Sequence, residues 1–199
     1  MASNAQMIPV KDCGRFNGFR NLFGRENHQW WGTWQWLIQV AIWLAIVNGL
    51  LATVVLAVPK IEAAQARAEI NAAQGRAAMQ SLSQTALMVF FIFSGMASAA
   101  GVVILAQDAL IGEKQSGTAA WVLSKPVSRL AFVLSKLGAD ALGVLVTMVL
   151  VQGAVAYLIY RAGTGIALEI PHFLGALGLL ALALFFYLSL TYMLGTLFR

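Results

Sequence analysis

Four long apolar runs constrain this chain more than any other feature: Leu37 to Val58, Leu82 to Leu105, Leu137 to Tyr160 and Phe173 to Leu197. Each is about as long as the ~20 residues a helix needs to cross the ~30 Å hydrocarbon core of a bilayer, and each is nearly free of charge. With 60% hydrophobic and 11% charged residues overall, the chain lies outside the range of ordinary soluble domains. The expectation is an all-α integral membrane protein with four transmembrane helices, built as an N-terminal segment over residues 1–35 and a transmembrane domain over 36–199.

The net charge of +5 does not indicate nucleic acid, because the basic residues stand dispersed at the edges of the apolar runs rather than gathered in a patch. They serve topology instead. Placing Met1 to Gln35, Gln107 to Lys136 and Arg199 on one side collects nine positive residues, against four on the other: Lys60, Arg67, Arg76 and Arg161. The nine belong in the cytoplasm by the positive-inside rule, with both termini there and the protein in the cell membrane. No cleavable signal peptide is expected, because the first charged stretch, Lys11 to Arg25, is not followed at once by a short apolar core and a small-residue cleavage site.

Ahead of the first span, Phe16, Phe19, Phe23, Trp30 and Trp34 fall at offsets compatible with one helical stripe. Arg15, Arg20, Arg25, Glu26 and Gln29 mostly take other faces. The pattern predicts an amphipathic interfacial helix with its arginines toward lipid headgroups, and the cluster Trp30, Trp31, Trp34 and Trp36 marks the headgroup boundary. Asn48, inside the first span, is expected to bond to a neighbouring helix. The alanine-rich stretch Pro59 to Gln80 reads as a solvated helical excursion. In the second span, Gly95 with Ala99 and Ala97 with Gly101 place small residues at four-residue spacing, suited to close packing within the chain or to a dimer seam or substrate-facing wall. Gly163, Gly165 and Pro171 punctuate the turn between the last two spans.

Between the second and third spans lies a polar island, Gly112-Glu113-Lys114-Gln115-Ser116-Gly117-Thr118, followed by Trp121 to Lys136. Gln107 and Asp108 end the second span, and Ser116-Gly117 is a poor place for continuous helix. Thr118 can cap a short helix through Trp121, Val122 and Leu123, which Pro126 stops. Ser128 can then cap the helix that becomes the third span. The product is a short helix with an exposed Trp121 face, able to dock in a partner's groove.

The island, continued by Val122-Leu123-Ser124-Lys125-Pro126-Val127-Ser128-Arg129 and Lys136-Leu137, resembles the cytoplasmic loop of ABC type 2 (ABC-2) transporter permeases. Phe19-Arg20-Asn21-Leu22 and Trp30-Trp31 look like the interfacial helix before the first span of these permeases. The resemblance implies a permease subunit of an ATP-binding-cassette exporter, coupling ATP hydrolysis by a separate cytoplasmic ATPase subunit to substrate translocation, and working as a dimer with a second permease subunit among membrane lipids. Glu113, Lys114, Gly117, Thr118, Trp121, Val122, Leu123, Pro126 and Arg129 would form the ATPase-coupling interface. The family has six spans, so a sequence that stops at Arg199 after the fourth would be a fragment or a shortened relative. The second implies an alternative: a non-transporting accessory or structural subunit bound to other integral membrane subunits.

No catalytic or cofactor chemistry is expected from the chain itself. It lacks a Gly-x-x-x-x-Gly-Lys-Ser/Thr phosphate loop, and His28 and His172 are predicted on opposite sides of the membrane, which precludes a shared metal site. Cys13, the single cysteine, excludes an intramolecular disulfide and reads as an incidental thiol or a palmitoylation site. Asp140 is the carboxylate nearest a span's interior; Lys136, four residues earlier on the same face, makes the two a candidate intramembrane ion pair, with a proton or substrate path as the alternative.

Overall fold

The computed structural model describes residues 16–57, 72–115, 117 and 127–197. Among these residues all regular structure is helical. Helix α1 covers Phe19–Trp31; α2, Gln35–Ala57; α3, Ala72–Gln115; α4, Arg129–Thr164; and α5, Ile170–Leu197. Four of these carry a stretch long and apolar enough to cross a membrane, with that of α3 at Gln80–Gln107. The protein is therefore an all-α membrane protein.

Side-chain contacts give the directions of the spans. Asn48 meets Gln152 and Val55 crowds Gly163, so α2 and α4 run the same way. Phe91 packs on Phe173 and Gly95 lies near Leu180, so α3 and α5 run together too. The second pair opposes the first: Tyr157 stands by Phe173, Leu177 against Gly153, and Tyr192 against Asp140. The result is an alternating bundle, in which every backbone polar group inside the apolar layer can be satisfied within its own helix.

The core is a continuous cluster that includes Val47, Leu51, Val55, Phe90, Met148, Leu184 and Leu188. On α5 the buried positions Leu177, Leu180, Leu184, Leu188 and Thr191 recur every three or four residues and form one stripe. Leu179, Leu182 and Phe186 cover the opposite face and are exposed. In water such a face would be an aggregation hazard; it suits the apolar interior of a bilayer.

Four glycines set the helix spacing, among them Gly153, where a Cβ would lie 2.6 Å from Leu177 Cδ1. A Cβ at Gly101 would lie 2.1 Å from Trp43 Cζ2, one at Gly143 2.7 Å from Trp30, and one at Gly163 2.0 Å from Val55 Cγ1. The small residues of the second span thus pack within the chain, at least at Gly101, where the indole of α2 takes the space a side chain would need. Close approach of this kind supplies dispersion contact where lipid gives no hydrophobic drive between helices.

Two spans contain wide π-helical turns, Leu44–Asn48 and Thr53–Ala57 in α2 and Leu145–Leu150 in α4. Helix α3 is 44 residues long, about 66 Å at 1.5 Å per residue, so it extends beyond its apolar span at both ends. Its first turns, Ala72 to Gln80, are the described part of the expected alanine-rich excursion and run into the span without a break. Helix α4 ends on Gly165, whose φ of +68° suits a residue without a Cβ, and the Gly165 N–H caps the Arg161 carbonyl at 3.1 Å.

Candidate functional site

The polar features gather at the end of the bundle where α1, the start of α4 and the end of α5 meet. Helix α1 lies lengthwise along the first turns of α4. Its start is fastened to the residues before α4: the Ser128 N–H donates to the Asn17 carbonyl at 3.4 Å, and Gly18, at φ +83°, lies against Val127. One turn on, Leu22 is buried with Phe132. Beyond that, Lys136 Nζ donates to Glu26 Oε2 at 2.8 Å, and Trp30 Nε1 donates to Asp140 Oδ1 at 2.8 Å. The second Asp140 oxygen accepts a short hydrogen bond from the Tyr192 hydroxyl of α5.

This arrangement changes one sequence expectation and widens another, in which the Lys136 charge still acts on Asp140. Glu26 was expected on the polar face, yet it is only 9% exposed, because α1 packs against α4 rather than presenting one apolar side to lipid alone. The pairing expected between Lys136 and Asp140 becomes a wider cluster in which Lys136, 5% exposed, is bonded to Glu26. The carboxylate of Asp140 is shared between an indole and a phenol. Two charges buried side by side at short distance offset much of each other's desolvation cost, which neither could bear alone.

A second polar element lies deeper. Asn48 Nδ2 donates to Gln152 Oε1 at 2.6 Å, and Gln152 Nε2 donates to the Thr147 carbonyl at 3.1 Å. The expected interhelical bond of Asn48 is present, with a partner that sequence reading did not identify. The amide ties α2 to α4 beside their π turns.

The island divides at Gly117. Helix α3 carries Gly112, Glu113, Lys114 and Gln115 past the apolar span as unbroken helix, some eight residues or about 12 Å beyond Gln107. Gly117 then has φ +73°, a conformation that favours glycine. The short helix expected through Thr118, Trp121, Val122, Leu123 and Pro126 falls outside the described residues, as does Cys13. At the far side Ser128 caps α4 as expected, its hydroxyl accepting from the Ala131 N–H at 3.0 Å, and Arg129 is exposed in the first turn. Among the described residues no group of His, Cys, Asp and Glu could hold a metal ion; His28 is exposed, and His172 pairs with Glu169 at 2.7 Å.

Four spans in alternating directions, with an N-terminal helix laid along the third, define an all-α membrane protein with a polar cluster at one end of its bundle. Residues 32–199 match the family described as ABC-2 family transporter protein. The chain belongs to that family, and is a transport-related permease by that membership. No curated protein and no solved structure matches the chain.

Proposed function

We propose that the chain is the membrane-spanning permease subunit of an ATP-binding-cassette exporter, driven by a separate cytoplasmic ATPase subunit that seats on the stretch from Gly112 to Arg129. ATP hydrolysis then belongs entirely to the partner. The functional unit is a dimer with a second permease subunit in the cell membrane, and the excess of positive residues on the island's side supports a cytoplasmic orientation for the island and both termini.

The observation that carries this reading is the way the two described ends of the island are tied into the bundle. Its entry is a helix that leaves the membrane unbroken, and its exit at Val127 and Ser128 is bonded to the start of α1. A displacement of the island would reach α4 along its axis and α1 together, because Glu26 with Lys136 and Trp30 with Asp140 hold the two helices side by side. In this mechanism Trp121, Val122 and Leu123 supply the apolar contact to the ATPase, and Glu113, Lys114 and Arg129 its polar rim.

The test is gentle extraction from the native membrane, identification of stoichiometric partners by mass spectrometry, and the variants Glu113→Ala and Trp121→Ala. Co-purification of an ATPase that both variants weaken, at unchanged thermal stability, supports the reading. Unchanged transport and ATPase stimulation in both variants would sink it. Recovery of other integral membrane proteins without any ATPase would instead favour an accessory subunit.

A further inference from the structure

Between α4 and α5 runs an apolar groove of about 530 Å³, lined on one side by residues such as Gly138, Ala141 and Val149 and on the other by Gly178, Ala181 and Leu188. We propose that this groove holds one acyl chain of an anionic phospholipid from the leaflet on the α1 side, with the lipid phosphate at Arg20. The site goes beyond the exporter reading and needs no ATPase partner.

Depth is the first argument. From Gly138 to Val149 the groove follows twelve residues of α4, about 16 Å of helix rise over the steps between them, and half of a ~30 Å hydrocarbon core is about 15 Å. Its upper end lies beside the buried polar cluster, where Trp30 meets Asp140, a level at which indoles mark the headgroup boundary. The groove therefore begins at the interface and ends near the bilayer midplane. Its floor is made of the buried Val144, Val149 and Leu188, while the small Gly138, Ala141, Gly178 and Ala181 leave it open along its sides and Leu182 and Phe185 stand exposed at its edge, a shape that admits a slender chain lying along the helices.

Charge is the second argument. Gly138, at the mouth, is covered by Phe23 of α1, whose Cε2 would stand 3.3 Å from a Cβ there. Arg20 lies three residues before Phe23, on the neighbouring position of the same helix face, and is exposed. The acidic groups at this level are turned inward: Glu26 is bonded to Lys136, and Asp140 to Trp30 and Tyr192. Helix α5 has no acidic residue between Leu188 and Leu197. By the register of 110 residues between α1 and α4, Arg20 lies level with Leu130, about 12 Å outward of Gly138, so the charge above the mouth is positive, which selects an anionic headgroup over a zwitterionic one.

Native mass spectrometry of the purified full chain, titrated with phosphatidylglycerol or with phosphatidylcholine of the same acyl composition, tests the proposal. The expected result is one tightly held phosphatidylglycerol per chain. Arg20→Gln should weaken it about fivefold, the effect of roughly one basic residue near an anionic surface, and leave phosphatidylcholine unchanged. Gly178→Phe should remove the tight adduct; a Cβ at Gly178 meets nothing within 4 Å, so the larger side chain can enter the groove without displacing the core. Equal binding of the two lipids, or phosphatidylglycerol binding unaltered in both variants at wild-type unfolding temperature, would overturn the proposal. So would efficient disulfide crosslinking between copies of Gly178→Cys in the membrane, which would show that protein and not lipid covers the groove.

Discussion

Trp30 and Asp140 are joined through the indole N–H at 2.8 Å across 110 residues of sequence, and Glu26 and Lys136 are joined at 2.8 Å across the same 110. Two contacts one helical turn apart with an identical offset mean that α1 and α4 run parallel and in register there. Helix α1 is thus a second rail beside the third span, running along it rather than across it, and Tyr192, bonded to the same Asp140, extends the join to α5.

The Glu26–Lys136 pair gives the sharpest stability prediction. Lys136→Met alone leaves the buried Glu26 carboxylate only the half-exposed Arg25, 3.9 Å away, and should cost about 3 kcal/mol, the lower end of the range for breaking a buried pair. Adding Glu26→Leu to Lys136→Met should restore most of that loss, since a well-packed apolar pair replaces a desolvated ionic one at little net cost. Unfolding of the purified protein in detergent, measured for both singles and the double, reads the coupling directly. Additive losses would show that the pair does not act as a unit.

The residues themselves show how much of this arrangement the sequence carried. The four spans were legible because apolar length alone specifies them, and Ser128 because a cap is a local device. Glu26 was misplaced although the signal was present: on a helix with 3.6 residues per turn, Phe19, Leu22, Phe23 and Trp30 surround position 26, so the apolar stripe passes over the glutamate. Lys136 offered Asp140 four residues on as a local partner and could not name Glu26, since an interhelical register of 110 residues leaves no periodic trace. Gln152 was missed for the same reason. It lies between Val151 and Gly153 in an apolar run, and only the fold brings Asn48 to it.

That amide pair can be tested by its own cycle. Asn48→Leu should cost about 1 kcal/mol, in line with interhelical hydrogen bonds inside membranes, and Gln152→Leu about the same. The double variant should lose less than the sum, because neither amide is then left facing an apolar neighbour. Thermal unfolding of the four proteins in one detergent decides it; strict additivity would remove the bond from the account of how α2 and α4 are held.

Gly101 makes a steric prediction. A methyl group there would overlap the Trp43 ring, 2.1 Å from Cζ2, so Gly101→Ala should destabilise by about 1–3 kcal/mol, the usual effect of overpacking. The strain lies against one named side chain, so Trp43→Leu in the Gly101→Ala background should recover part of the loss even though Trp43→Leu alone is destabilising. A Gly101→Ala protein as stable as the wild type would mean that α2 and α3 can separate freely at this level.

Ser128 links stability to the coupling proposal. Its hydroxyl accepts from the Ala131 N–H at 3.0 Å, and removing such a cap costs about 1 kcal/mol. Ser128→Ala should therefore loosen the first turn of α4, where Arg129 and Leu130 emerge from the island, and leave the core around Met148 unchanged. Amide hydrogen exchange should rise at residues 130–133 and stay at wild-type levels through the π turn at Leu145–Leu150. Ser128→Asp, which keeps an acceptor at the cap, should restore the protection. If the island drives α4 along its axis, the same frayed turn should blunt ATPase stimulation in Ser128→Ala and spare it in Ser128→Asp. Full stimulation in a Ser128→Ala protein that exchanges faster at 130–133 would mean that force enters the bundle through α3 instead.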